Sequence, residues 1–478
     1  MDLAVGDFYK ATLLCSAVLH CHNVLSTLGS LVRLEVGMWV WLKQDAPWET
    51  LPAADCESAL KNFLAEVELE AYKSLVICLF DCSCLWDQVQ ICSDAVNKYP
   101  DCAIWNPKME STKMSQAARA LREFMPEVRS LSRHHHKRTW ILQSGVITVR
   151  CWPWLSPSQL TRKKELVTSV NREFSEASGV AEIRISIIKT PSEGGKEIQG
   201  NDVLGIFATQ NISLFQTVLV SHTIIAATSI ESSRICHNCC RDIASLGIPC
   251  TYCSANYCSI RCRTAARNAY HKVLCGKDFS WVYEIARHDI SQQATLFLRV
   301  LAICVQSGTH PLDHPLIARL TANYKGDHTE HFTFAADIQT PIRILQELGI
   351  DPFADSRFDT WVLRTIWIRI VNNKIQCYDR PDGRHILSVN PLRCFFNHSC
   401  EAQLFYGQGD DAATKAVLYA SRPIKKGEEM FVSYIDADRM GSVEERREAL
   451  FPWFGSDCLC KRCRRESKAD DKSSRKVA

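Results

Sequence analysis

The chain has 478 residues, 46% of them hydrophobic, more than one ordinary core holds and too apolar for a disordered chain, so two or three folded domains are expected. Lys plus Arg outnumber Asp plus Glu by only 56 to 53, so no global field favours nucleic acid or an anionic membrane, and any basic contact must be local. The 24 cysteines sit in a chain that starts Met1-Asp2-Leu3 without a basic leader or cleavable apolar segment, which argues against a secreted disulfide scaffold. The apolar stretch 11–42 is broken by His20, His22, Arg33 and Glu35, short of the ~20 residues a bilayer span takes. A soluble protein with intracellular thiols and metal ligands is the expectation.

Residues 1–50 scatter Trp39, Trp41 and Trp48 with no clean period. From Cys56 to Phe124 the pattern is helical, with Leu60, Phe63, Leu64 and Val67 at spacings of three and four and Ala71 to Leu79 continuing it. Ala71-Tyr72, Trp86, Ala95-Val96, Pro100 and Trp105 fall where a tetratricopeptide repeat has its small, aromatic and proline positions, so residues 1–140 resemble a tetratricopeptide-like helical region. One hairpin cannot bury both faces; helices in 11–35 and 112–124 are the expected neighbours, and the segment reads equally as a peptide groove or a helical cap. Arg133-His134-His135-His136-Lys137-Arg138 is internal and lacks spaced partner ligands, which makes it a solvated basic linker with a domain boundary near residue 140. Beyond it, Cys151-Trp152-Pro153-Trp154-Leu155 and Ser158 predict a turn into a helix through about Glu176, with Val167 and Val170 on one face.

Alternation at Ile183, Ile185 and Ile187 predicts a strand, Gly194-Gly195 punctuates it, and Val203 to Ala208 is a second extended run. Gly205-Ile206-Phe207-Ala208-Thr209 resembles the opening strand of a SET domain, where a glycine lets backbone approach the cofactor; Val203 stands where that pattern has a paired glycine.

Between Cys236 and Cys275 eight ligand types come in four pairs: Cys236-x2-Cys239, Cys250-x2-Cys253, Cys258-x3-Cys262 and His271-x3-Cys275. Such spacings chelate one tetrahedral ion per two pairs without strain, and thiolate with imidazole suits zinc better than magnesium or calcium. With Tyr257 just before Cys258, the array is similar to a MYND zinc finger at every ligand. That resemblance implies interleaved sites, Cys236, Cys239, Cys258 and Cys262 on one ion and Cys250, Cys253, His271 and Cys275 on the other, with Cys240 spare. It also implies docking of proline-containing peptides; Arg261, Arg263 and Arg267 leave DNA as the disfavoured alternative.

Phe279 to Val305, Ile342 to Leu348 and Trp361 to Val371 carry helical periodicity, and Arg393-Cys394-Phe395-Phe396-Asn397-His398-Ser399-Cys400 follows. Strand fragment, finger, helices, then Asn-His-Ser-Cys is the order of the SET and MYND domain protein-lysine methyltransferases, which the chain resembles over roughly 150–465, its helical leader being similar to fungal members. The resemblance implies an α+β fold: a SET β-fold split by the finger and by a helical insert. Its expected parts are N-terminal SET residues 150–235, finger 236–275, insert 276–384, core SET 385–440, a zinc-bound post-SET segment 441–465 and a disordered tail 466–478.

It further implies S-adenosylmethionine as cofactor, contacted by Gly205, Asn372, Asn397 and His398, with Tyr434 lining the methyl-transfer channel as the catalytic residue. A third zinc is implied on Cys400, Cys458, Cys460 and Cys463. Methyl transfer to lysine needs alignment and a desolvated, neutral amine rather than a strong base, which fits a site without an obvious dyad. No paired histidine or helix N-terminus is evident to activate Cys400 as a nucleophile.

Besides Val203, three departures from the family pattern matter. Glu401-Ala402-Gln403 replaces x-Pro-Asn, Ser456 replaces an aromatic that stacks on adenine with Phe454 the only substitute in view, and Lys374 replaces an aromatic after Asn372-Asn373. Stacking on a base is worth ~1–3 kcal/mol. The alternative expectation is therefore a zinc-built SET and MYND scaffold without transfer activity, acting in protein interaction or transcriptional regulation. The expected acceptor is a protein lysine, histone or non-histone, with no membrane partner. Because Cys460-Lys461-Arg462-Cys463-Arg464-Arg465 overlaps the ligands, nucleus and cytoplasm are both open.

Overall fold

Helices Asp2–His20, Ala53–Asp81 and Leu85–Lys98 make up most of the described residues of the first of two units. The computed structural model describes residues 2–20, 53–100, 145–148, 152–155, 165–187, 190–191, 197–198, 202–223, 225–228, 232–244, 246–285, 289–322, 329–377, 386–407, 415–436 and 440–467. The units are Met1–Thr148 with Thr329–Gln339, and Val149–His328 with Thr340–Ala478. Trp39, Trp41, Trp48, Trp105, the 133–138 tract, Gly194-Gly195 and the expected helix at 112–124 lie outside the described residues, as do 21–35 of the expected helix at 11–35.

In the first unit helices Ala53–Asp81 and Leu85–Lys98 fold back on each other through Cys82-Ser83-Cys84, where Ser83 takes a left-handed turn at φ 59°. Ala71, Leu75, Val76 and Leu79, at helical spacing, are buried together with Ala95 and Val5. Glu68, fully buried, is held by Lys98 Nζ at 2.6 Å and by the Tyr99 hydroxyl, while Lys98 also donates to Ser16 Oγ at 3.1 Å. A buried carboxylate without those partners would carry its whole desolvation cost. Strand Gly145–Thr148 pairs antiparallel with Thr329–Phe332, so residues 329–339 leave the expected helical insert and complete this unit.

The second unit holds the candidate site. A four-stranded sheet runs in the order Asn397–His398, Glu429–Val432, Asp202–Ala208, Ala181–Ile187, its first pair parallel and the others antiparallel. Two three-stranded sheets flank it: Leu404–Tyr406, Lys415–Ala420 and Thr217–His222; and Lys374–Cys377, Ile386–Val389 and Ile225–Thr228. Helix Glu165–Ala177 buries Val170 and Phe174 under the first sheet, with Val167 packed beside them.

The strand at 181–187 corrects the simple alternation expected there. Ala181 and Ile183 face the core, but Ile185 is 44% exposed and Ser186 is buried instead, where its hydroxyl meets Glu429. Helices Asp289–Ser307 and Thr360–Asn373 form a second apolar layer, continuous with buried Tyr257 and Tyr270 of the cysteine-rich segment. Among the described residues no helix is long and apolar enough to cross a membrane.

The described residues run past 466, the expected start of the tail. Residues 461–467 are helical, and Glu466 pairs with Arg446, a guanidinium with no exposed surface, as well as with Arg462 at 2.9 Å. A buried cation needs a carboxylate, and Glu466 supplies it.

Candidate active site and metal centres

The cysteine-rich segment is short on apolar mass and rich in turns. Ile248–Pro249 pairs with Asn256–Tyr257, Ser259 caps helix Ile260–Ala266 by accepting from Cys262 N at 3.2 Å, and a π-helical turn Arg267–His271 follows. Cys240, the cysteine left over by the pairing, takes φ 58° directly after the first ligand pair, and its amide closes the turn on Cys236 O at 2.9 Å. The extra residue in the π-turn offsets His271 from the preceding helix face, the kind of local widening that often marks a functional position. Its Nε2 lies 3.3 Å from Cys250 Sγ and 3.6 Å from Cys253 Sγ.

Three groups of donors converge: Cys236, Cys239, Cys258 and Cys262; Cys250, Cys253, His271 and Cys275; and Cys400, Cys458, Cys460 and Cys463. Within each, all donor atoms lie within 4.8 Å of one another. Four thiolates, or three with one imidazole, are donor sets that tetrahedral zinc takes, so all three groups fit zinc. Without a cation the thiols contend for protons. Hydrogen bonds from Cys236 and Cys239 pull Cys262 far below an ordinary thiol, whereas its bond to Cys236 drives Cys239 far above one. In the third group the bond from Cys400 lowers Cys460 steeply.

The third group abuts the Asn-His-Ser-Cys stretch. His398, buried, accepts the Tyr434 backbone N–H at Nδ1 over 3.0 Å, and its Nε2 lies 3.2 Å from Cys400 Sγ. Desolvation pushes its pKa down to about 4, so the ring is neutral. One sequence expectation changes here: the imidazole of His398 faces Tyr434 and Cys400, so a histidine does stand beside that thiol, within a cluster of four cysteines whose donors fit zinc. The Tyr434 hydroxyl donates to Phe396 O at 2.8 Å, and its ring touches His398, Phe454 and Trp453 with centroids 5.3, 6.2 and 6.3 Å away.

Asn397 is fixed from two sides, its Nδ2 donating to Leu204 O at 3.2 Å and to Glu429 Oε1 at 2.9 Å. Ser186 Oγ donates to the other oxygen of that carboxylate at 2.8 Å. With both amide protons spent, the carbonyl oxygen is the part of the Asn397 amide left to accept. Gly205 lies against this network: a Cβ there would stand 2.4 Å from Glu429 Oε1 and 3.1 Å from Asn397 Nδ2. Gly205→Ala is therefore expected to lose about 1–3 kcal/mol of stability, read as a lower urea midpoint, because the carboxylate it would displace is pinned at both oxygens.

Asn372 ends helix Thr360–Asn373, where its carbonyl accepts from Trp453 Nε1 at 3.1 Å. Its amide nitrogen is buried with no hydrogen-bond partner among the described residues, an orphan donor that a bound polar group would satisfy. Trp453, Glu429 and Ser186 are site residues that sequence reasoning missed; the Glu428-Glu429 pair before a strand was the one available signal. Gln403 answers the missing Pro-Asn turn: it is buried, donates to Glu429 O at 2.6 Å and accepts from Phe431 N at 3.1 Å, while Ser399 Oγ caps Glu401 N. Ser456 is half-buried beyond Gly455, whose φ of 57° ends helix Val443–Phe454, and Phe454 on that helix packs on His398 at 5.8 Å.

Residues 203–435 match the SET domain family model. The chain carries a SET domain, and its relatives include proteins that pair that domain with a MYND finger. A SET and MYND domain-containing protein of Dictyostelium discoideum is 33% identical over 85 residues, 18% of this chain and 21% of that protein. A second protein so named from the same organism is 25% identical over 267 residues, 49% of this chain and 72% of that protein. A histone-lysine N-methyltransferase of Eremothecium gossypii is 39% identical over 75 residues, 16% of this chain and 14% of that protein.

Proposed function

We propose that the chain is an S-adenosylmethionine-dependent protein-lysine N-methyltransferase whose SET fold is split by a MYND finger at 236–275, with Tyr434 as the catalytic residue. The observation that carries this reading is the fixed Tyr434 hydroxyl, bonded to Phe396 O beside Asn397 and ringed by Trp453, Phe454 and His398. The fit of the cofactor rests on the orphan amide of Asn372 and on the carbonyl oxygen of Asn397, left to accept once its amide protons are spent. Bound there, S-adenosylmethionine supplies a methyl group on a cationic sulfur.

The chain's own groups align and desolvate. The Tyr434 hydroxyl donates to Phe396 O, which fixes the oxygen that would accept from a lysine amine and orient it. The aromatic surround disfavours the charged amine and so favours the neutral nucleophile. Cys400, Cys458, Cys460 and Cys463 would hold a zinc that ties the post-SET segment to this stretch, and the finger's two zincs would build a module for proline-containing peptides. The tetratricopeptide-like region, a nuclear or cytoplasmic location, and histone or non-histone acceptors complete the reading.

The half-buried Ser456, in place of a stacking aromatic, is the observation that favours a scaffold without activity. Titration of S-adenosylmethionine into the zinc-loaded protein separates the two. The enzyme reading expects saturable heat and a raised melting temperature, equivalent to about 2.7 kcal/mol at a hundredfold excess over Kd. No heat and no shift at millimolar cofactor would replace it with the scaffold.

A further inference from the structure

We propose that His398 is a positioning residue that links the Cys400, Cys458, Cys460 and Cys463 metal site to Tyr434, so that occupancy of the metal site sets the placement of the tyrosine. This rests on the reading of Tyr434 as the methyl-transfer residue, but the link itself is a matter of two hydrogen bonds. Nδ1 accepts the Tyr434 N–H at 3.0 Å, which on a neutral ring places the remaining proton on Nε2. That proton points at Cys400 Sγ, 3.2 Å away. A sulfur bound to a metal is a thiolate and a far better acceptor than a thiol, so the N–H···S bond is at full strength only when the site is filled. Groups that hydrogen bond to metal ligands in this way orient the ligand and tune its hold on the ion.

The same ring is wedged between Tyr434 and Phe454, at 5.3 and 5.8 Å. Releasing it at the sulfur therefore frees it to tilt against the tyrosine it anchors. Both faces of the junction move together, because Asn397 and His398 pair with Phe431 and Val432 only two residues before Tyr434. A histidine that merely satisfied a turn would leave the metal site and the Tyr434 amide independent of each other.

Two variants divide the link. His398→Asn keeps an acceptor near Nδ1 for the Tyr434 amide but is too short to reach Cys400, whereas His398→Gln reaches toward the sulfur but offers no acceptor at the Nδ1 position. Full-length protein is loaded with zinc and challenged with a chelator; cysteine alkylation mapped by mass spectrometry identifies which tetrad has opened, and hydrogen exchange follows the peptide containing Tyr434. His398→Asn is expected to open the Cys400 tetrad at about 10–100-fold lower chelator while both finger tetrads hold as in the parent. His398→Gln is expected to keep that tetrad closed and to exchange the Tyr434 amide at least tenfold faster.

The unmodified chain supplies an arm that needs no variant: opening its Cys400 tetrad should deprotect the Tyr434 amide. An unchanged chelator threshold in His398→Asn, or a Tyr434 amide indifferent to the metal in the unmodified chain, overturns the link. None of these readouts uses methyl transfer. An inactive protein that shows all of them loses only the catalytic reading, and an active one that shows none loses only the link.

Discussion

Tyr434→Phe should lower kcat for methyl transfer by about 10²–10³-fold, the usual consequence of deleting one pre-positioned polar group from a reacting centre. The substitution removes only the hydroxyl that bonds to Phe396 O, and the ring keeps its packing against His398, Phe454 and Trp453. Stability should fall by only about 0.5–1.5 kcal/mol, the net worth of one hydrogen bond. Labelled-methyl transfer measured beside a thermal melt separates the two effects. Undiminished methylation by this variant removes Tyr434 from the catalytic role.

Chelation should unfold the segment from Cys236 to Cys275. With turns, one short hairpin and a single run of α- and π-helix from Ile260 to Leu274, it has too little apolar burial to stand on its own, and metal binding to such modules is worth about 10–16 kcal/mol near neutral pH. The pH dependence has a definite sign. In the metal-free finger burial pushes Cys258 up to about 11 and Cys275 up to about 12, so both are protonated at neutral pH and must release protons to bind. Burial lowers His271, which is already neutral there and releases none. Affinity therefore falls as pH falls, by about a factor of ten per pH unit for each proton displaced. Metal competition at pH 6, 7 and 8 with a far-UV signal checks both statements; retained structure without metal, or affinity flat in pH, contradicts them.

Ligands close in sequence are close in space, which is why spacing alone singled out the donors of the finger. Cys400 and Cys458 stand 58 residues apart, and only resemblance to a family joined them in the reading of the sequence. Trp453 and Glu429 were harder to read for a related reason. Both act through contacts to residues distant in sequence, Trp453 to Asn372 O and Glu429 to Asn397 Nδ2 and Ser186 Oγ, that no local pattern encodes. Gln403 shows the converse: a position that broke a motif is filled by a side chain whose amide bonds the same strand at both its oxygen and its nitrogen. The exposure of Ile185 follows from Ser186 turning inward to Glu429, a polar tie outweighing the apolar period. The buried Glu68 belongs to the same class, since periodicity places apolar residues and says nothing of where a carboxylate finds its lysine.

Arg446 is wholly buried between Met440 O and Glu466, three residues past the final cysteine ligand. A chain shortened after Arg465 would keep every metal ligand and every group around Tyr434, yet strand a positive charge inside the protein. The working boundary of this segment is thus drawn by electrostatics as well as by its cysteines, and a truncation chosen from the cysteine pattern alone would remove the carboxylate that ties helix Val443–Phe454 to the helical residues 461–467.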